Sequence, residues 1–343
     1  MTRAGRKRPA GLAELGISLD LAPMEAKLVT ELPTDAGWQF EPKWDGFRCL
    51  AFRAGGDVEI RAKSGKSLSR FFPEVLDNLG AVAPKAFVLD GELVIPVDGA
   101  LSFDALQMRL HPAESRIVRL SNETPATFTV FDCLLRKVRQ PLLQEPFEER
   151  RVALETLFKG IDEEEAGLTI TPFTRDRRQA EKWLNDRQVS VDGVIAKRLD
   201  LPYLTGERAM LKVKRLRTAD CVVGGFRYET ERKQVGSLLL GLYDKEGLLH
   251  HVGFTSALAD TEKPALTKRL EKLVAPPGFT GNAPGGPSRW STARSADWQP
   301  LRSKLVVEVR YDHVTGNRFR HGTRLVRWRP DKAPAQCTFE QLS

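Results

Sequence analysis

Apolar residues occur in short runs, and the texture of those runs changes partway along the chain. From Trp38 onward, residues 47–52, 58–61, 87–95, 128–134 and 191–197 have the length and side-chain types of strands. Helical spacing interrupts them. Pro73 is placed to open a helix running towards Leu79, and Ser102 to cap one reaching Leu110; residues 147–158 and 176–188 carry apolar positions at helix-like intervals. Such mixed blocks predict an α+β domain, and no segment repeats another.

A basic connector, Arg215-Leu216-Arg217, precedes a second texture. Strand candidates at 221–227, 238–243, 248–254, 305–311 and 323–328 surround one helix, at 263–274. Five strands with one helix fit a small β-barrel such as an OB-fold. Residues 276–300, rich in Pro, Gly and Ser, read as a long surface loop within it. The expected organisation is a flexible basic arm over 1–20, an α+β domain over 21–217 and a barrel over 218–343. A chain of 343 residues is long enough for two such cores.

Composition narrows the function classes. With 41% hydrophobic and 29% charged residues, the chain carries too much apolar surface to be a solvated, disordered tail. Lys and Arg exceed Asp and Glu by 53 to 45, a net charge of +8 that favours an anionic partner such as nucleic acid. Cys49, Cys133, Cys221 and Cys337 lie far apart without a C-x-x-C pair and read as reduced core residues. His250 and His251 adjoin, but neighbours on a strand face opposite ways and do not readily share a metal. No apolar run has membrane-spanning length, and Arg3, Arg6, Lys7 and Arg8 lack a following signal-peptide core, so a cytoplasmic location is expected.

Four blocks carry chemistry. Glu41-Pro42-Lys43-Trp44-Asp45-Gly46-Phe47-Arg48 crowds a lysine, an aspartate, a glycine and an arginine into a turn between strand segments. A lysine becomes a nucleophile once it loses its proton, which positive neighbours or desolvation promote. Gly46 permits a tight turn and close backbone approach, and Arg48 suits an oxygen-rich group. A charged hairpin is the alternative. Asp90-Gly91-Glu92 and Asp192-Gly193 interrupt apolar strands with carboxylates, which suit a magnesium ion that keeps water and phosphate ligands; plain acidic turns would look the same. Lys212 and Lys214 share one strand face and repel unless an anion lies between them, although lysines also guard exposed sheet edges.

In this order, the blocks resemble the covalent nucleotidyltransferase superfamily of ATP-dependent DNA ligases and messenger RNA capping enzymes. The K-x-D-G-x-R element stands at 43–48, D-G-E at 90–92, an aromatic-acid element at Phe131-Asp132, the acidic glycine element at Asp192-Gly193, the paired lysines at Lys212 and Lys214, and R-x-D-K at Arg329 to Lys332. The text from Arg320 to Lys332 is similar to small bacterial ligases of the C type. The resemblance implies an adenylation domain followed by an OB-fold. It implies that Lys43 attacks the ATP α-phosphorus to form lysyl-AMP, that AMP passes to a DNA 5′-phosphate, and that the adjoining 3′-hydroxyl then seals the nick.

Further roles follow from the same resemblance. Glu41 would accept from the adenine amino group, Arg48 and Glu92 would hold the ribose side, Phe131 would stack on the base, and Lys212 and Lys214 would hold the α-phosphate. Glu92 and Asp192 would bind Mg²⁺ or Mn²⁺, and Arg329, Asp331 and Lys332 would orient pyrophosphate. The sequence departs from the family's pattern in two places. Asp192 stands where glutamate is usual, and Lys63 where arginine is usual; Lys63 is placed at the 5′-phosphate of the nick. Arg227, Lys233, the loop around Arg289 and the N-terminal arm are candidate DNA contacts. A monomer acting on nicked duplex DNA in bacterial DNA repair is implied, nucleoid-associated and served by repair polymerase or primase proteins. The rival readings are a capping-type guanylyltransferase, and a non-catalytic OB-fold protein that grips single strands, with Trp290 and Trp298 as stacking groups.

Overall fold

A computed structural model describes residues 11–185, 191–285 and 297–342. The chain divides into two compact units, Met1–Arg215 and Leu216–Ser343. The division falls just before the second unit's first strand, Arg217–Tyr228.

Two sheets build the first unit. In the larger, the strands run Leu168–Ile170, Thr127–Lys137, Ala86–Val94, Phe47–Ala54 and Asp57–Ala62, and Gln140–Pro141 pairs beside Thr127–Lys137. The smaller runs Ala26–Leu28, Met210–Lys214, Gly193–Arg198 and Trp38–Lys43. Side-chain alternation decides what each sheet faces. Along Phe47–Ala54, Cys49 and Ala51 join a core formed with helices Pro73–Ala81, Phe103–Arg109 and Phe147–Phe158. Leu50, Phe52 and Ala54 point the other way, to Tyr203 and to Met210 of the smaller sheet. The smaller sheet's outer residues Phe40, Val194, Ala196 and Val213 pack on Ala180 and Trp183 of helix Arg177–Asn185. Fully buried rings such as Phe52, Phe72, Phe87 and Phe128 each contribute roughly 1.5–3 kcal/mol to holding these layers.

Several details differ from the sequence reading. The flexible arm expected over 1–20 is packed in its second half: Leu15 and Ile17 are buried with Phe52, Leu134 and Tyr203, because the larger sheet leaves an apolar face there. Arg3, Arg6, Lys7 and Arg8 lie outside the described residues. The helix expected to reach 188 is described through Asn185, and residues 186–190 lie outside the description. Helix Glu114–Glu123 is additional; it buries Ile117, Leu120 and Ser121 and is mostly polar elsewhere. Arg53, next to the end of strand Phe47–Ala54, is buried because its guanidinium donates to the Leu79, Gly80 and Val82 carbonyls and so caps the end of helix Pro73–Ala81.

In the second unit the strands run Leu249–Thr255, Val235–Tyr243, Arg217–Tyr228, Val306–Tyr311 and Arg324–Trp328, with Gln299–Pro300 added to the central strand. The two edge strands come together at a single parallel bridge, Thr255 to Thr323, so the sheet curls into a partly open barrel. Its one helix among the described residues of eight or more is Lys263–Glu271. The segment read as a surface loop contributes to the core: Phe279 is buried, and its ring lies 5.5 Å from that of Trp298. Trp298 is therefore a packing residue rather than a stacking platform, while Arg289 and Trp290 lie outside the described residues. All four cysteines are buried. No helix among the described residues is long and apolar enough to cross a membrane.

Candidate active site

Between the two sheets of the first unit lies a cleft of about 300 Å³. It collects Glu41, Lys43, Arg48, Lys63, Glu92, Phe131 and Lys212 from segments far apart in sequence. Lys43 is the last residue of its strand and stands opposite Gly193 in the register. Its ammonium lies 2.5 Å from the carboxylate of Asp192, whose backbone N–H donates to the Lys43 carbonyl at 2.8 Å. Two glycines make this crossing possible. A Cβ at Gly46 would stand 2.1 Å from the Leu93 carbonyl oxygen, and one at Gly193, where φ is +154°, would stand 2.1 Å from that of Val213.

Arg48 faces Glu92 across the sheet and forks onto Asp90 at 3.1 and 2.7 Å. Burial works against the Arg48 charge, but Asp90 outweighs it and holds the guanidinium protonated at any accessible pH. Asp90 also accepts from the Tyr203 hydroxyl at 2.6 Å. Burial pushes the Glu92 carboxyl up to about 7, against the opposing pull of Lys43 and Arg48.

Phe131 owes its place to a β-bulge. Asp90 pairs with Asp132 and Gly91 with Val130, so Phe131 is left without an opposite residue and turns into the cleft. Behind it, Asp132 is clamped by the buried Arg150 at 2.8 and 3.0 Å. The ring centroid lies 5.2 Å from the Arg48 guanidinium and 4.6 Å from the Lys197 ammonium. Glu41, almost wholly buried, accepts from Gln39 at 2.9 Å and pairs with Lys197 at 2.7 Å.

On the opposite wall, Leu211 and Val213 pack outward against the Arg177–Asn185 layer, which leaves Lys212 lining the cleft and Lys214 two residues on along the same face. Lys214 pairs in register with Gly193, next to Asp192. Burial lowers the Lys212 pKa, and the charges of Lys43, Lys214 and Lys63 add to the effect. Lys63 stands in an exposed turn after strand Asp57–Ala62, and its ammonium lies 2.8 Å from Glu25, across the cleft.

In the barrel unit, Arg329 and Lys332 converge on Asp220, at 2.8 and 2.9 Å, and Arg329 also bonds Asp331. That contact with Arg329 draws the Asp331 carboxyl down to about 2. Sequence reasoning assigned no role to Asp220, Glu25, Trp44, Lys197 or Tyr203. Lys197, Asp220 and Tyr203 gave no signal in the sequence, because each meets a partner more than a hundred residues away.

The cleft with its terminal lysine and the barrel that follows define a nucleotidyltransferase domain joined to an OB-fold domain. The family described as ATP dependent DNA ligase domain matches residues 23–214, and the ATP dependent DNA ligase C terminal region matches 231–332. DNA ligase C2 of Mycolicibacterium smegmatis is 43% identical over 347 residues, 96% of each chain. DNA ligase C of Mycobacterium tuberculosis is 40% identical over 344 residues, 96% of this chain and 95% of that one. A solved Lig E DNA ligase shares the fold with a TM-score of 0.54 at 17% identity, over 89% of this chain and 99% of that one. The chain belongs to the ATP-dependent DNA ligases, and it resembles their small bacterial C-type members. It is an enzyme that uses ATP to join DNA strands, and the guanylyltransferase and non-catalytic barrel readings fall away.

Proposed function

We propose that Lys43 is the residue that carries AMP. Its Nζ attacks the α-phosphorus of ATP; a P–N bond forms, and the bond to pyrophosphate breaks in line. The observation that carries this reading is the placement of Lys43 at the floor of a nucleotide-sized cleft, 2.5 Å from a carboxylate able to take its proton. Arg48, locked by Asp90, offers fixed donors on the ribose side, and the Phe131 ring offers a face for the base. Glu41, held by Gln39 and Lys197, keeps acceptor capacity for the adenine amino group. Lys212 and Lys214 offset charge developing on the α-phosphate.

Glu92 and Asp192 fit a divalent cation. Both offer hard oxygen donors, and burial leaves the Glu92 carboxylate under-compensated, which a cation would relieve. Two carboxylates suit Mg²⁺ or Mn²⁺, because such ions keep water and phosphate ligands beside few protein oxygens. When bound, such a cation would supply charge to the α-phosphate oxygens. Arg329, Asp331 and Lys332 are proposed to orient pyrophosphate, with Asp220 as the anchor that arranges them.

Lys63 is assigned to the DNA 5′-phosphate that receives AMP. The substrate is nicked duplex DNA, gripped through its phosphates by a chain of net charge +8, and the setting is DNA repair with polymerase or primase proteins as suppliers of nicks. Incubation with labelled ATP and a divalent cation should give a covalent protein adduct that Lys43→Ala abolishes and labelled GTP does not produce. Adduct formation by Lys43→Ala at the normal rate would sink the assignment.

A further inference from the structure

Around the cleft stand the cations Lys43, Arg48, Lys63, Lys197, Arg208 and Lys212 and the acids Glu25, Glu41, Asp90, Glu92 and Asp192, and most of those acids have a clear task. Asp192 holds Lys43, Asp90 holds Arg48, and Glu41 holds Lys197. Glu25 is left over. It comes from the smaller sheet, just before strand Ala26–Leu28, and its backbone is fixed on both sides: its N–H donates to Glu207 and its carbonyl accepts from Met210. Its carboxylate reaches Lys63, which follows strand Asp57–Ala62 of the larger sheet, at 2.8 Å, and lies 3.7 Å from Arg208. Lys63 is itself held at the nucleotide strand, its N–H donating to the Arg48 carbonyl at 3.2 Å. One ion pair therefore bridges the two walls of the cleft.

The pair is built to open. Lys63 is 55% exposed and Glu25 28%, and ion pairs in such high-dielectric positions yield at little cost. A phosphomonoester carries more charge and more acceptor oxygens than a carboxylate, so it wins Lys63 when it arrives correctly placed. A small anion from solution must displace the same carboxylate without the help of any duplex contacts. The repulsive group thus discriminates between anions, as negative charge does in other selective sites.

We propose that Glu25 is a carboxylate stand-in for the DNA 5′-phosphate: it occupies Lys63 when no DNA end is bound, yields to the phosphorylated end of a nick, and keeps free phosphate out. This inference rests on the assignment of Lys63 to the 5′-phosphate. The lowered pKa of Glu25, caused mainly by its hydrogen bond from Lys63, is consistent with it.

The test uses the full-length, adenylated protein in EDTA, so that no AMP transfer occurs, and two nicked duplexes that differ only in a 5′-phosphate or a 5′-hydroxyl. Glu25→Gln should tighten binding of the phosphorylated nick by about threefold to tenfold, leave the hydroxyl nick unchanged, and make inorganic phosphate a stronger competitor. Glu25→Asp, one methylene shorter, should fall between. In a Lys63→Ala background, Glu25→Gln should change nothing. Equal tightening on both duplexes, or persistence of the effect without Lys63, would overturn the proposal. If Lys63→Ala keeps the wild-type preference for the phosphorylated nick, the Lys63 assignment itself fails; if Lys63→Ala loses that preference while Glu25→Gln is silent, only the role of Glu25 fails.

Discussion

Replacing Glu92 with glutamine should stabilise this enzyme near pH 8 while impairing its catalysis. Glu92 sits directly opposite Arg48 in the sheet, in the wall of the cleft, and burial raises its pKa from the ordinary 4.5 to about 7. For an acid whose folded-state pKa is raised, the native protein binds more protons than the unfolded chain between these two values. Stability is therefore full below about pH 4.5, falls as the pH rises through about 7, and stays reduced above it. At about 1.4 kcal/mol per pKa unit, the difference corresponds to roughly 3 kcal/mol, an upper bound because the side chain is part-exposed. Glutamine carries no charge and escapes this cost. Denaturant unfolding in EDTA should show Glu92→Gln stabilised by about 1–3 kcal/mol near pH 8 and by close to zero near pH 4.5. Magnesium should narrow the gap near pH 8 by stabilising the wild type more than the variant, which keeps Asp192 but lacks the second carboxylate. A stability difference independent of pH, or equal stabilisation of both proteins by magnesium, would refute the reasoning.

Lys63→Ala should leave lysyl-AMP formation intact yet slow AMP transfer to a nick about tenfold in single turnovers begun from adenylated enzyme, and Lys63→Arg should preserve transfer through its planar fork. Asp220→Asn withdraws the carboxylate shared by Arg329 and Lys332. It should slow self-adenylation about tenfold and spare the sealing of a pre-adenylated nick, whereas equal loss of both steps would argue against a pyrophosphate role. Gly193→Ala forces a Cβ to within 2.1 Å of the Val213 carbonyl in a backbone conformation closed to alanine, so denaturant unfolding should show a loss of about 3 kcal/mol or more. Affinity for unrelated nicked duplexes should be alike and should fall steeply with salt; a preference for one base sequence would contradict a phosphate grip.

Much of this was legible in the chain because it depends on neighbours. Alternation along 210–214 predicts that Lys212 and Lys214 share a face, and Leu211 and Val213 do pack behind them. Ser102 caps its helix by accepting from the Ala105 N–H, as its position before an apolar repeat predicts. The barrel strands follow their sequence candidates closely, since each is a mostly apolar run of strand length that is buried along most of its length. Where the pattern misled, the competing factor was packing by distant segments. Leu15 and Ile17 read as part of a basic arm until a sheet face is there to bury them, and Phe279 and Trp298 read as loop until they fill the barrel.

Sequence alone therefore determined the elements, the two-domain order and the set of reactive residue types, because periodicity, turn chemistry and capping act over a few residues. Tertiary structure decided the pairings. Lys43 meets Asp192 across 149 residues and Tyr203 meets Asp90 across 113. Glu25 and Lys63 reach each other only because two separate sheets form the walls of one cleft. The bulge that turns Phe131 inward is likewise set by the register of two long strands, whose pairing no local stretch specifies. Charge type is written along the chain, whereas which charge neutralises which depends on distance in space, and folding alone sets that distance.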